Sequence, residues 1–419
     1  MHAESKQRAE ILKSIKKRVL AHHINVFGVD YDAWGRRVEE RTPNLIAADQ
    51  EGFETGVRQL LAELKTSHTA FYHSAPKEML PQHTINASLR DLTKTGCTKW
   101  MFLDVFEGGP ASAAGIKPGD ILEAVEGDAA APPAMPQFGF GQTHEVFVRR
   151  PATGAARDVL VSVPQRKATK QRPPIVEPKS PTHMVIAPQI GLLKIVYFPG
   201  AFGMGFAKAL DAAVDDLKNQ GCDRLIIDLR GNIGGSLGFA RLASYLCPGK
   251  IAIGHSLTPN RMRAGYDPAA LPRIPMPSNS VELLTSLGRF AFQDKSLMLL
   301  TQGLGPQPFH GRIVVLVNEW TNSAAEMIAN FASENKLATV IGQKTRGNVL
   351  GATNFDVGGE YWLRLPVFGW FTSQGRSLEG VGVDPDIDVD TSPSGLAAGD
   401  DNQMIKAMET LDGSRTRQR

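Results

Sequence analysis

Apolar positions change their spacing repeatedly along the chain, and each change marks a new kind of element. Ile11, Ile15 and Val19, and later Leu60, Leu61 and Leu64, fall on one face at helical spacing, so residues 6–90 read as helical. Between residues 100 and 163 short apolar runs are separated by Gly and Pro turns, the pattern of a compact β-rich module. Residues 164–181 are rich in Lys, Arg and Pro and read as an extended linker. A β-α alternation follows, with strands expected at 191–198, 224–229, 312–317 and 338–342 and helices at 205–219, 237–246 and 324–332. That order implies a largely parallel sheet. Residues 259–280 interrupt it and read as a cover or binding loop, 355–371 as a β-rich stretch, and 402–411 as a last helix. The expected organisation is a helical N-terminal domain at 1–95, a β-rich module at 96–165, a linker at 166–185, a β-α core at 186–395 and a C-terminal helix with a polar tail at 396–419.

Composition narrows the function classes. At 419 residues, 42% hydrophobic and 21% charged, the chain has room for two or three globular domains. Its net charge of +3 is spread along the sequence, which gives no reason to expect nucleic acid as a partner. No run reaches membrane-spanning length, and the N-terminus lacks a basic patch followed by an apolar stretch. Cys97, Cys222 and Cys247 form no CxxC pair and read as reduced core thiols, so the expectation is a cytoplasmic protein without a membrane partner.

The chemistry concentrates at two turns. Residues 312–317 are a β-branched run suited to a buried parallel strand, and Ser323 stands where that run gives way to a helix. Its side chain would lie at the carboxyl edge of a sheet, beneath the first N–H groups of the helix, led by that of Ala324. Such N–H groups and a positive dipole end suit an oxyanion, although a serine here also serves as an ordinary helix cap. The second turn, Ile226-Ile-Asp-Leu-Arg-Gly-Asn-Ile-Gly-Gly-Ser236, has glycines that let N–H groups converge on a ligand. It lacks the Lys-Ser/Thr of a phosphate loop and the GxGxxG of a dinucleotide site.

The β-rich module resembles a PDZ domain over about sixty residues, through Gly109-Pro-Ala before a short helix, Ala114-Gly-Ile-Lys-Pro-Gly-Asp120 and Glu126-Gly127. The two turns together, in one order with Ile341-Gly-Gln-Lys-Thr-Arg-Gly347 and Glu379-Gly-Val-Gly-Val-Asp-Pro-Asp386, resemble the S41 peptidase family. That family comprises tail-specific or C-terminal processing proteases and tricorn core proteases, and the resemblance spans nearly the whole chain. It implies a multidomain α/β fold: a helical N-terminal domain, a PDZ-like module and a crotonase/ClpP-like β-α peptidase core.

By this resemblance Ser323 is the nucleophile. Processing proteases of the Ser-Lys type carry their lysine just after Thr-x-Gly, where this chain has Asn348, which cannot act as a base. Lys344 precedes the matching position, so a lysine base is not expected there. Leu61-Ala-Glu-Leu-Lys-Thr-Ser-His-Thr69 is instead similar to the tricorn-type Ser-His segment, which makes His68 the base, with His73 a weaker candidate. Histidine suits the task because it titrates near neutrality, which sets an expected rate dependence near pH 6 to 7. The family pattern adds Glu379, acting through Ser67, and an oxyanion hole from the N–H of Ala324 and one from Gly234 or Gly235.

The resemblance thus implies a serine peptidase that cleaves peptides or protein C-terminal regions without cofactor or metal. A PDZ-like module would capture a peptide or unfolded chain by its C-terminus. Assembly into a homo-oligomer stays open. Two other readings stand beside it: a catalytically inactive peptidase-fold binding or scaffolding protein, suggested by Asn348, and a crotonase-like acyl-transfer enzyme.

Overall fold

Asp30 and Asp49 begin two helices by accepting hydrogen bonds from free N–H groups, Asp30 from Asp32 and Ala33, Asp49 from Gly52. The helices His2–His22, Tyr31–Ala47 and Gln50–Ala62 pool their apolar faces, so that Ile11, Ile15, Val19, Trp34, Phe53 and Leu60 share one core with Phe71, Tyr361 and Leu363. The computed structural model describes residues 2–73, 78–166, 174, 176–200, 202–277, 282, 284–285, 296–306, 309 and 312–413.

The long helices therefore stop at Ala62, and helix returns before residue 90 as the single turn Pro81–Thr84. After Ala62 the chain turns through Lys65 and His68, both at φ +59°, and continues as the strand Ala70–His73, antiparallel to Tyr361–Thr372. Residues with Cβ atoms rarely adopt that conformation, and none does so within a helix, so the Thr-Ser-His-Thr run ends the periodic pattern. Ala87–Asp91 is likewise a strand.

The chain forms two compact units. One comprises Met1–Pro76, Ile251–Thr301 and Gly347–Gly382. Its sheet runs Ala70–His73, Tyr361–Thr372, Ala252–Leu257, Leu297–Leu300, Arg273–Pro275, with Gly351–Gly358 also paired to Tyr361–Thr372. The expected loop at 259–280 is thus partly regular. Thr258 caps the helix Pro259–Ala264, and Arg273–Pro275 pairs in parallel with Leu297–Leu300; residues 278–280 lie outside the described residues.

The other unit comprises Lys77–Lys250, Gln302–Arg346 and Val383–Arg419. Its first part is β-rich, with strands in the order Ala87–Asp91, Trp100–Val105, Ile121–Val125, Thr143–Arg150, Ala155–Ser162, around Phe102, Leu122, Val146 and Val161. Its second sheet runs Thr182–Ala187, Ile190–Lys194, Arg224–Asp228, Ile313–Val317, Thr339–Gly342, Ile387–Asp388, parallel throughout except for the first pair. The expected linker at 166–185 accordingly ends inside a strand, while 167–173 and 175 lie outside the described residues, as does 414–419 of the tail. The helix Asn402–Gly413 buries Ala407 and Leu411 against Ile226, Val314 and Ile341.

Cys222 and Cys247 are buried as expected, but Cys97 is exposed. It follows Gly96, at φ +83°, in the turn joining two antiparallel strands, where loop residues face water. Among the described residues no helix is long and apolar enough to cross a membrane. The architecture is mixed α/β, and neighbouring parallel strands, Arg224–Asp228 and Ile313–Val317, deliver both turns of interest from their carboxyl ends.

Candidate active site

Ile313–Val317 is buried along its whole length, and the chain leaving it is pinned at every step. The Asn318 N–H donates to Thr321 Oγ1 at 3.0 Å, the Thr321 hydroxyl to Leu229 O at 2.9 Å, and the Asn322 N–H to Asn232 O at 2.8 Å. Ser323 follows at φ +54°, ψ −117°. A capping serine has extended backbone, so this conformation is not that of an ordinary cap; it costs on the order of 1–3 kcal/mol and persists only where the surroundings enforce it. Part of the enforcement comes from Glu326, whose carboxylate accepts the Ser323 N–H at 2.9 Å and the Thr345 hydroxyl at 2.6 Å. Thr345 Oγ1 in turn accepts the Val383 N–H at 2.8 Å. Glu326 is fully buried, and the sequence reading missed it. The signal was present as Ser-x-x-Glu, the reciprocal capping pattern.

The glycine turn approaches Ser323 directly. A Cβ on Gly234 would lie 2.7 Å from Ser323 Cβ and 3.3 Å from its Oγ, so only glycine leaves the serine its space. The Gly234 N–H donates within its own turn to Asn232 Oδ1 at 2.7 Å. Gly235 is different. Phe198 bridges it by donating its N–H to Gly234 O and accepting that of Ser236, a pattern that directs the Gly235 N–H away from Phe198. Ala324, first residue of the helix Ala324–Glu334, has no helical acceptor for its N–H.

The other expected residues assemble in the other unit. Glu379, 2% exposed, accepts the Ser67 N–H at 2.6 Å on one carboxylate oxygen, and the Ser67 hydroxyl and the Val349 N–H, each at 3.0 Å, on the other. Ser67 Oγ lies 2.8 Å from His68 Nδ1. If the hydroxyl donates to the carboxylate, it must accept from Nδ1–H, which leaves His68 Nε2 unprotonated and able to take a proton. Burial, aided by the Arg364 guanidinium, lowers the His68 pKa from 6.5 to about 4. Burial also raises the Glu379 carboxyl, against the lowering effect of the N–H groups of Ser67, Val349 and Leu350.

Two alternatives are occupied elsewhere. Lys344 Nζ forms an exposed ion pair with Asp384 at 3.0 Å, and His73 Nε2 lies 3.4 Å from Glu360 at the surface. The structure thus joins Ser67, His68 and Glu379 in one unit, and Ser323, Ala324, Gly234 and Gly235 in the other.

Residues 189–389 match the model of peptidase family S41, a span that holds Ser323, both glycines and Glu379 but not Ser67 or His68. The carboxyl-terminal-processing peptidase 2, chloroplastic, of Arabidopsis thaliana is 24% identical over 289 residues, 67% of this chain and 47% of that protein. Tricorn protease of Thermoplasma acidophilum is 26% identical over 225 residues, 53% of this chain and 17% of that protein. The chain spans less than half the length of either relative. Among solved structures, a photosystem II D1 C-terminal processing protease superposes with a TM-score of 0.57 at 19% identity, covering 94% of this chain and 95% of that one, a likeness of fold.

Proposed function

We propose, for a chain whose residues 189–389 belong to peptidase family S41, that the protein is a serine peptidase cleaving peptides or protein C-terminal regions through an acyl-enzyme. The observation that carries this reading is the hydrogen-bonded series His68–Ser67–Glu379, drawn together across 312 positions of sequence around a histidine nitrogen left free to act. Ser323 Oγ attacks the scissile carbonyl carbon as its proton passes to His68 Nε2. The oxyanion forms against the N–H groups of Ala324 and Gly235, which are fixed in place before reaction. The C–N bond then breaks as His68 protonates the leaving amine, and water, activated by the same imidazole, releases the acid. Ser67 and Glu379 hold the tautomer and stabilise the imidazolium.

The test is intact-mass analysis after a fluorophosphonate probe. One adduct is expected, mapping to Ser323 and absent from Ser323→Ala. A folded, unaltered protein that takes up no probe would remove the serine reading.

The β-rich strands of residues 87–162 support a second part of the proposal, a PDZ-like module that captures a substrate C-terminus. In Ser323→Ala protein, an apolar peptide with a free carboxylate should bind at least about tenfold more tightly than its C-terminal amide. Equal affinities would rule out carboxylate capture.

A further inference from the structure

Three groups of the β-rich module reach the turn that carries Ser323, although the module lies outside the matched span 189–389. Leu89 O accepts the Trp320 indole N–H at 3.1 Å. The Arg90 guanidinium grips Glu319 with both arms, at 2.7 and 2.8 Å. Asp104, on the strand Trp100–Val105, receives the Asn318 side-chain amide at 3.2 and 3.3 Å.

The third contact differs from the other two in what lies beyond it. Asn318 Oδ1 accepts the Gly231 N–H at 2.9 Å and the Trp320 N–H at 3.0 Å. One side chain thus bonds the glycine turn and the serine turn together. Its orientation is unambiguous, because two N–H donors face Oδ1 and a carboxylate faces Nδ2. Asn318 is 1% exposed, so an amide that lost its acceptor would have no water to replace it. Asp104 is held in its turn by the Ser88 hydroxyl, and its own N–H donates to Ser88 Oγ at 3.1 Å. Gly231, at φ +67°, allows the approach: a Cβ there would lie 2.7 Å from the Asp104 carboxyl group.

We infer that Asp104 is a positioning residue: through Asn318 it fixes the turn bearing Ser323 relative to the turn bearing Gly234 and Gly235. Its consequence for catalysis rests on the serine-peptidase reading, whereas its consequence for the two turns does not. The module is then a structural part of the nucleophile's support, whatever chain it binds.

The experiment combines amide hydrogen exchange with the rate of fluorophosphonate labelling in the full chain. In Asp104→Ala, exchange should rise at least about tenfold in peptides covering residues 229–236 and 318–325, with little change in the strand Thr143–Arg150, and labelling should slow by a similar factor. Asn318→Asp keeps the Oδ1 acceptor but opposes two carboxylates, and should loosen the same turns. The exchanged pair, Asp104→Asn with Asn318→Asp, restores an amide against a carboxylate and should recover most of the labelling rate. Unchanged exchange in the two turns, or a swap no better than Asn318→Asp alone, would overturn the inference. Absence of labelling in the unaltered protein would count against the serine reading alone, since exchange decides the positioning by itself.

Discussion

Replacing His68 by alanine is expected to lower kcat/KM for a peptide substrate by about four to six orders of magnitude, the range spanned by loss of the base or its partner in serine hydrolases. Ser67→Ala should cost less, because it removes the link between His68 and Glu379 but leaves the Ser67 N–H on the carboxylate. The pH dependence separates the proposed His68 base from its rivals. The base must be neutral to work, and His68 titrates at about 4, so kcat/KM should be level near neutrality and fall as pH drops through about 4. Burial raises the Glu379 carboxyl above its ordinary value, and because Ser67 links it to His68 the acid limb belongs to the pair rather than to either group. The sequence alone pointed to pH 6 to 7; burial and Arg364 displace that value downward. A limb centred at 6 to 7 would mean a more solvated imidazole than the structure has. A rate still climbing at about pH 9 to 10 would point to lysine and bring back Lys344.

What was legible in the sequence was what local pattern fixes. The β-branched run before Ser323 and the glycines after Asp228 mark strand-to-helix turns because only such residues suit buried strands and left-handed backbone, and both turns are where the pattern put them. The helices overran at residues 63–90 because Thr-Ser-His-Thr has no strong breaker, and the positive φ of Lys65 and His68 comes from tertiary context that periodicity does not encode. Residues 259–280 looked structureless because a three-residue strand, Arg273–Pro275, gains its order from its pairing partner. Gly234 and Gly235 could not be told apart by residue type. Their difference lies in the Asn232 side chain, which accepts one N–H and not the other. Asp104 sits inside an apolar strand pattern that gives no sign of its reach, since its partner Asn318 lies 214 positions away.

Arg230→Ala should cost about 3–5 kcal/mol of stability, as expected when one partner of a buried ion pair is removed and the other stays. Asp228 is 2% exposed and takes both arms of Arg230 at 2.9 Å, together with the Arg230 N–H at 3.1 Å. The guanidinium also binds Asp401 at 2.8 Å and Gln403 at 3.2 Å, tying the start of the last helix to the glycine turn. Burial alone would raise the Asp228 carboxyl, but Arg230 outweighs it and holds the group below its ordinary value. The unaltered protein therefore keeps this contribution above the unfolded pKa of 3.8 and loses it as pH falls through the lower folded value. Without Arg230 the sign reverses. A buried, unpaired carboxyl binds a proton more tightly folded than unfolded, so Arg230→Ala should lose stability as pH rises from about 5 to 8. Urea unfolding at those two pH values reads the difference directly, and equal midpoints in the variant would show that Asp228 stays charged without its partner. Asp228→Leu combined with Arg230→Met should recover most of the loss, because the penalty comes from the stranded charge rather than from the missing pair. Failure of that double variant to recover would place the cost in the Asp401 and Gln403 contacts instead.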